Sequence, residues 1–450
     1  MSETLEQWLD REYRHASVAM MASVSAVGLV KERPGFGQSM RPAVGSIIAS
    51  PVPGAYDPDP DYFFHWFRDS AVVIDAVRLL FEAGRMGEEE ALRHFSDFVR
   101  FSLSLEALDG GSLVSAPAWR EKVIPDFQKF VRLDEELTHV RASAVSADTR
   151  VNPNGTIDIS RWARPQHDGP PLRALSVLKW LRTLRARGGA PAAVISDAAR
   201  LLAVDLDFTV THWRVPSYDI WEEEPGHHYY TLRVAAAALS EGAEWLRAAG
   251  KPKDAEAFQS DAEAIYRTLD GFWRESGNYY TSRVLPDGAK STKELDIAVI
   301  LSAIHTAGEG SEAHTARDPR MHATLERLEA LFDAAYPINH QRPKDRGPAM
   351  GRYQGDVYYS GGAYYFSTLG ASEFCFLAAA AHAAGCDERR NWVERGDGFL
   401  NTTRTFTPAS GDLSEQFDQR TGEQTSAKHL AWSYAAFISC VTARQAVVAR

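Results

Sequence analysis

Phe258-Gln259-Ser260-Asp261-Ala262-Glu263-Ala264-Ile265-Tyr266-Arg267-Thr268-Leu269-Asp270-Gly271-Phe272-Trp273 sets the period of this chain. Its apolar residues Phe258, Ala262, Ile265, Tyr266, Leu269, Phe272 and Trp273 fall at i, i+4, i+7, i+8, i+11, i+14 and i+15, which is one face of a helix. The stretch from Asp318 behaves alike, with Met321, Leu325, Leu328 and Phe332 on one side. Pro319 suits its first turn, where a backbone N–H has no partner to lose. Twelve such segments begin near residues 3, 66, 88, 170, 192, 228, 253, 294, 318, 363, 388 and 427. Strand signals are sparse. The best is a hairpin across Tyr279 to Val284 with Pro286-Asp287-Gly288 as its turn.

The connections between segments alternate. Tight turns lie around Arg85-Met86-Gly87, Gly188-Gly189, Gly250 to Pro252 and Gly385-Cys386, whereas residues 30–65, 108–169, 212–227, 277–293, 337–362 and 407–426 are long. The link at 306–317 is intermediate. Twelve helices with this alternation predict an all-α fold, an (α/α)6 barrel of six antiparallel hairpins, with the long loops on one face. A helical solenoid is the competing architecture, but the segments share no fixed period.

Composition narrows the partners. The 450 residues with 44% hydrophobic content support a large core in a soluble protein. A net charge of −11, from 49 basic and 60 acidic residues and with no basic block, argues against nucleic acid as a partner. No apolar run reaches the roughly 18 to 20 residues of a membrane span. The stretch Ala19 to Val30 contains serines and has no basic flank of the signal-peptide kind. Three cysteines, Cys375, Cys386 and Cys440, form neither a disulfide pattern nor a zinc pattern. Together these features predict a cytoplasmic protein.

The long loops carry the chemistry. They contain Asp61-Tyr62-Phe63-Phe64-His65-Trp66-Phe67-Arg68-Asp69, Trp162-Ala163-Arg164-Pro165-Gln166-His167-Asp168, Tyr218-Asp219-Ile220-Trp221-Glu222-Glu223-Glu224, Gly351-Arg352-Tyr353, Asp356-Val357-Tyr358-Tyr359 and Gly411-Asp412-Leu413-Ser414-Glu415-Gln416-Phe417. Aromatic faces pack on the apolar face of a pyranose, while Arg and Asp bond its hydroxyls. Two carboxylates from different loops make a candidate acid and base pair. His227-His228 is read as structural, since adjacent residues rarely bind one ion together.

These motifs resemble, in order and in all six long loops, those of the family 15 glycoside hydrolases, the glucoamylases and their relatives. The likeness rests on Pro60-Asp61-Tyr62-Phe63, Arg68-Asp69-Ser70, Arg164-Pro165-Gln166, Asp168-Gly169-Pro170, Asp219-Ile220-Trp221-Glu222-Glu223, Leu295 to His305, Gly351-Arg352-Tyr353, Asp356-Val357-Tyr358-Tyr359, Leu413-Ser414-Glu415-Gln416-Phe417 and Ala431-Trp432-Ser433-Tyr434-Ala435. The resemblance implies an (α/α)6 barrel and an inverting, exo-acting α-glucosidase that releases β-glucose from non-reducing ends of glucans or oligosaccharides, with neither metal nor cofactor. It makes Glu222 the general acid and Glu415 the general base. Arg68 and Asp69 would hold the terminal glucose, Arg352 a further hydroxyl and Glu223 the next unit. Tyr62 would stand near the attacking water and Trp162 over the bound sugar, with Trp66, Trp221 and Tyr358 as further substrate contacts.

Protonation of Glu222 is expected from Trp221 and the acidic neighbours Glu223 and Glu224, and ionisation of Glu415 from Ser414 and Gln416. Many relatives carry Asn-Pro-Trp where this chain has Gly362-Ala363-Tyr364, and Val-Asn where it has Glu224-Pro225. Those positions are expected on the leaving-group side, so an α-1,6-specific glucodextranase-like enzyme or an α,α-trehalase stays open as an alternative. An inactive sugar-binding protein on the same scaffold is the reading from another class. Residues 1–450 are expected to form one catalytic domain, without a starch-binding module or an N-terminal β-sandwich.

Overall fold

Some helices of this chain have no polar face to offer water, and they form the inside of the molecule. Tyr365–Ala379 is buried along nearly its whole length, whereas Pro252–Asp270 buries only Ala255, Ala262, Ile265 and Leu269. A helix of the first kind must be enclosed by others, and one of the second kind can cover it. The computed structural model describes residues 3–54, 59–308 and 312–448. Its helices of eight or more residues are α1 (Leu5–Met21), α2 (Phe67–Glu82), α3 (Glu88–Ser104), α4 (Gly169–Ala186), α5 (Ala192–His212), α6 (Tyr229–Ala248), α7 (Pro252–Asp270), α8 (Ala298–His305), α9 (Pro319–Ala335), α10 (Tyr365–Ala379), α11 (Asp387–Phe406) and α12 (Ala431–Val448).

The even-numbered helices pack α2 on α4, α4 on α6, α6 on α8, α8 on α10, α10 on α12 and α12 back on α2, closing a ring. The odd-numbered helices pack around it, each beside its hairpin partner. The sixth hairpin joins the two ends of the chain: α1 packs on α12, with Trp8 edge-on to Phe437 at 5.5 Å. The expected (α/α)6 barrel is therefore the observed one. Gly84 and Gly250, at φ 67° and 76°, take the left-handed conformation that ends α2 and α6 and turns the chain into the outer layer. All the long connections lead into the N-termini of inner helices, so they gather at one end of the barrel.

The structure corrects several sequence-based expectations. The helical face read through Phe272 and Trp273 stops at Asp270; Trp273–Arg274 instead pairs antiparallel with Tyr279–Tyr280. The hairpin thus lies one strand earlier than expected, and Arg283–Val284 pairs with His227–His228 of another loop. Pro286–Gly288 is a 3-10 turn. The segment expected near 294 begins at Ala298, where the Asp296 carboxylate accepts the Ala298 N–H at 2.8 Å. Part of the intermediate link at 306–317 lies outside the described residues.

If α1 completes the sixth hairpin, Trp8→Ala should lower the stability of the whole barrel by ~3–5 kcal/mol, the usual cost of emptying a buried tryptophan site. Urea unfolding followed by circular dichroism measures this. A midpoint equal to that of the wild type would mean that α1 is not part of the cooperative unit.

Candidate active site

One aspartate organises the loop that leads into α6. The Asp219 carboxylate accepts the backbone N–H of Trp221 (2.9 Å), Glu223 (3.1 Å) and Glu224 (3.3 Å), and Arg283 Nη1 at 2.8 Å. Three amides converging on one side chain fold residues 219–224 into a tight loop, as Asp does where no regular structure takes these donors. Within it Glu222 adopts φ 65°, the left-handed region that a residue with a Cβ enters only when its surroundings compel it. Within the loop the Glu222 carboxyl meets Trp66, Arg68 and Trp162, while Glu223 is taken by Arg352 and Lys293 and Glu224 by Arg283 and Ser291.

Arg283 ties this loop to the next one. Its guanidinium also reaches Asp296 (2.7 Å) and Glu224 (2.9 Å), and Trp221 Nε1–H donates to Asp296 at 2.8 Å. Gln166, from the loop before α4, donates to the Asp219 carbonyl at 2.6 Å. Three long loops are thereby locked together.

A cavity of about 260 Å³ opens at this end of the barrel. Its walls contain all eleven residues singled out in the sequence: Glu222, Glu415, Tyr62, Trp66, Arg68, Asp69, Trp162, Trp221, Glu223, Arg352 and Tyr358. Glu222 stands on one wall. Trp66 Nε1–H donates to its Oε1 at 2.8 Å, Arg68 Nη2 approaches the same oxygen at 3.3 Å, and Trp162 Nε1–H donates to Oε2. Glu415 receives the Tyr62 hydroxyl at 3.2 and 3.3 Å and the Ser426 hydroxyl, and Tyr62 is hydrogen-bonded to Tyr358 at 2.9 Å. Arg352 grips Asp356 with two bonds of 2.6 Å and Glu223 with one of 3.0 Å. Lys293 adds a 2.6 Å contact to Glu223, and the Tyr353 hydroxyl donates to it as well.

The electrostatics separate these acids. Burial pushes the Glu415 carboxyl up to about 7, although Ser426, Arg352 and Tyr62 all pull it down. Burial likewise lifts Asp69 to about 6 against the pull of Arg68. Burial also raises Glu223, but Arg352, Lys293 and Tyr353 outweigh it and hold this carboxyl below its ordinary value. The single cation Arg68 faces three carboxylates, Asp69 (3.4 Å), Asp168 (3.4 Å) and Glu222 (3.3 Å). Burial, against the pull of Arg68, also raises Asp168 above its ordinary value.

Two expectations about charge change here. Trp221 bonds Asp296 rather than Glu222, and Glu223 and Glu224 are paired with Arg352, Lys293 and Arg283. Ser414 and Gln416 point away from the Glu415 carboxylate, to the Gln416 carbonyl and to Tyr358 and Tyr364. Tyr62 and Ser426 are its donors. Tyr364 does not line the pocket: it is buried, and its hydroxyl is engaged with Asp356 and Gln416 beneath Arg352.

Sequence reasoning missed the pocket floor, where Phe366 and Trp432 stack at 4.4 Å and 8° in the first turns of α10 and α12. The available signal was their place, directly after long loops at the starts of inner helices. It also missed Arg283 and Ser426. His228 bonds the Ser217 carbonyl at 3.0 Å.

The sequence matches the family model described as Glycosyl hydrolases family 15 over residues 36–104 and 142–442. It is 27% identical to Glucoamylase-1 of Schizophyllum commune, over 95% of this chain and 74% of that protein. It is 26% identical to the probable glucoamylase of Schizosaccharomyces pombe, over 99% of this chain and 93% of that one. The fold is that of the family 15 glucoamylase of Hypocrea jecorina, with a TM-score of 0.78, 24% identity and coverage of 99% and 73%.

Arg283→Met leaves Asp219, Asp296 and Glu224 without their shared cation, and the loss should be about 3–5 kcal/mol at neutral pH. Asp296, pushed up to about 6 by burial even with Arg283 present, would rise further. The folded variant would then hold a proton at pH values where the wild type has released it, so its deficit should be largest at high pH and shrink as pH falls toward about 6. Denaturant unfolding of both proteins at pH 5 and pH 8 measures this, and a deficit that grows toward pH 5 contradicts it.

Proposed function

The chain belongs to glycosyl hydrolases family 15, and from that premise we propose that Glu222 and Glu415 are the proton donor and the water-activating base of an exo-acting α-glucosidase of the glucoamylase type. The observation that carries this assignment is that two carboxyls from loops far apart in the chain face one pocket and are held by different donors. A pocket closed below by Phe366 and Trp432 admits the end of a glucan rather than its middle, which supports release of single glucose units. No helix among the described residues is long and apolar enough to cross a membrane. Three free thiols support a reducing, cytoplasmic working place.

In the proposed reaction, Arg68 and Asp69 hold hydroxyls of the terminal glucose, and Arg352 bonds a further hydroxyl while Glu223 reaches the next unit. Trp162 covers the ring and Trp66, Trp221 and Tyr358 complete the walls. Glu222 delivers a proton to the glycosidic oxygen as the bond breaks. Glu415, with Tyr62 beside it, takes a proton from water attacking the opposite face. Inversion needs room for that water, which corresponds to a carboxyl separation of roughly 6.5–9.5 Å. Neither a metal nor a cofactor takes part in this scheme.

Glucose release from maltose, isomaltose, kojibiose, nigerose and trehalose tests the activity class. Maltose should be cleaved, and turnover of none of the five excludes the enzyme. Faster cleavage of isomaltose or trehalose would transfer the assignment to the α-1,6 or trehalase relatives. Glu222→Gln should lower kcat on maltose by ~10²–10⁴-fold with little change in binding; wild-type kcat would remove the acid assignment.

The pH profile tests the base. Glu415 must be ionised to act, and burial sets it at about 7, so kcat/KM should fall as pH drops through 7. Ser426→Ala removes a donor that favours the carboxylate and should move this limb to higher pH. A limb that stays in place or moves down contradicts the assignment.

A further inference from the structure

Trp66 and Trp162 supply the two indole N–H groups that meet the two oxygens of Glu222, and both rings lie against one buried cation. The Arg150 guanidinium carbon is 3.6 Å from the Trp162 ring centroid, 3.9 Å from that of Phe64 and 4.7 Å from that of Trp66. Arg150 is 2% exposed. Its Nε donates to Asp158 at 2.9 Å and its Nη2 to Ser160 at 3.2 Å, while Nη1 has no hydrogen-bond acceptor among the described residues. Its backbone is fixed as well, because Arg150–Val151 pairs with His65–Trp66 in register Trp66 to Arg150. One edge of a planar cation is therefore pinned by hydrogen bonds, and the rest is given to aromatic rings.

We infer that Arg150 is a positioning residue that holds the Trp66 and Trp162 indoles so that both N–H groups orient the Glu222 carboxyl. The inference rests on the proposed role of Glu222 as proton donor. A desolvated guanidinium over an aromatic face is attracted by the ring quadrupole, and indole is the best such partner. Trp162 needs this support, since it is 39% exposed and lies at the edge of the pocket. Lysine cannot replace the arrangement in full, because it lacks a planar fork that bonds Asp158 and Ser160 while stacking on rings. The cation acts on the carboxyl only through the two tryptophans.

A ratio of rates on two substrates separates this role from a structural one. Maltose needs a proton on its leaving oxygen, whereas α-D-glucosyl fluoride loses fluoride without acid assistance. Both substrates read the same folded fraction of one preparation, so the ratio of their kcat/KM values is blind to partial unfolding. Arg150→Met should lower the maltose to fluoride ratio by about tenfold or more, part of the general-acid contribution, with Arg150→Lys in between. Glu222→Gln should lower it further. If Glu222→Gln lowers the ratio and Arg150→Met does not, Arg150 has no part in orienting the acid. If neither lowers it, the acid assignment falls and the inference falls with it.

Discussion

The contact between Asp219 and Arg283 is the constraint on which the pocket depends. Asp219 gathers three backbone amides and one guanidinium group, and the loop so formed holds Glu222 in a left-handed conformation that its sequence neighbours would not select. Arg283 extends the hold to Asp296 and Glu224. Burying a cation among three acids is favourable only where geometry and hydrogen bonds are nearly complete, and losing any member leaves charge without compensation. In the proposed mechanism rigidity serves position: a carboxyl that must meet a glycosidic oxygen needs a backbone that does not relax.

The barrel supplies the platform for this arrangement. Six largely buried inner helices enclose one another and present their N-termini at one end, where the long loops cross. First-turn residues of these helices, Arg68 and Asp69 of α2, Phe366 of α10 and Trp432 of α12, then become walls and floor. The outer helices need only one apolar stripe each, which is why α7 reads as amphipathic and α10 does not. Catalytic precision thus comes from helix starts that cannot move independently of the core.

Much of this was legible in the sequence. Helical period and the alternation of short and long connections fix the barrel, because both are local properties of the chain. The eleven pocket residues were legible through motifs within loops, each short enough to read as a unit. What escaped was long-range pairing. Arg283 lies 64, 59 and 13 residues from Asp219, Glu224 and Asp296, and its stretch resembled an ordinary hairpin. The charge state of the acids escaped for the same reason: Glu223 and Glu224 look like a repulsive pair until Lys293, Arg352 and Arg283 are folded onto them. Ser414 and Gln416 flank Glu415 in sequence, yet its donors come from Tyr62 and Ser426. Strand ends such as Trp273 keep helical spacing by chance, and only the partner strand reveals them.

In the proposed reaction Glu222 and Glu415 act from opposite sides of the bond, one on the leaving oxygen and one through water. The anomer formed first decides it. Proton NMR of maltose hydrolysis, read before mutarotation, should show β-glucose appearing from the non-reducing unit, with α-glucose rising there only later. α-Glucose as the first product of that unit would mean retention, and the proposed roles of Glu222 and Glu415 would be wrong.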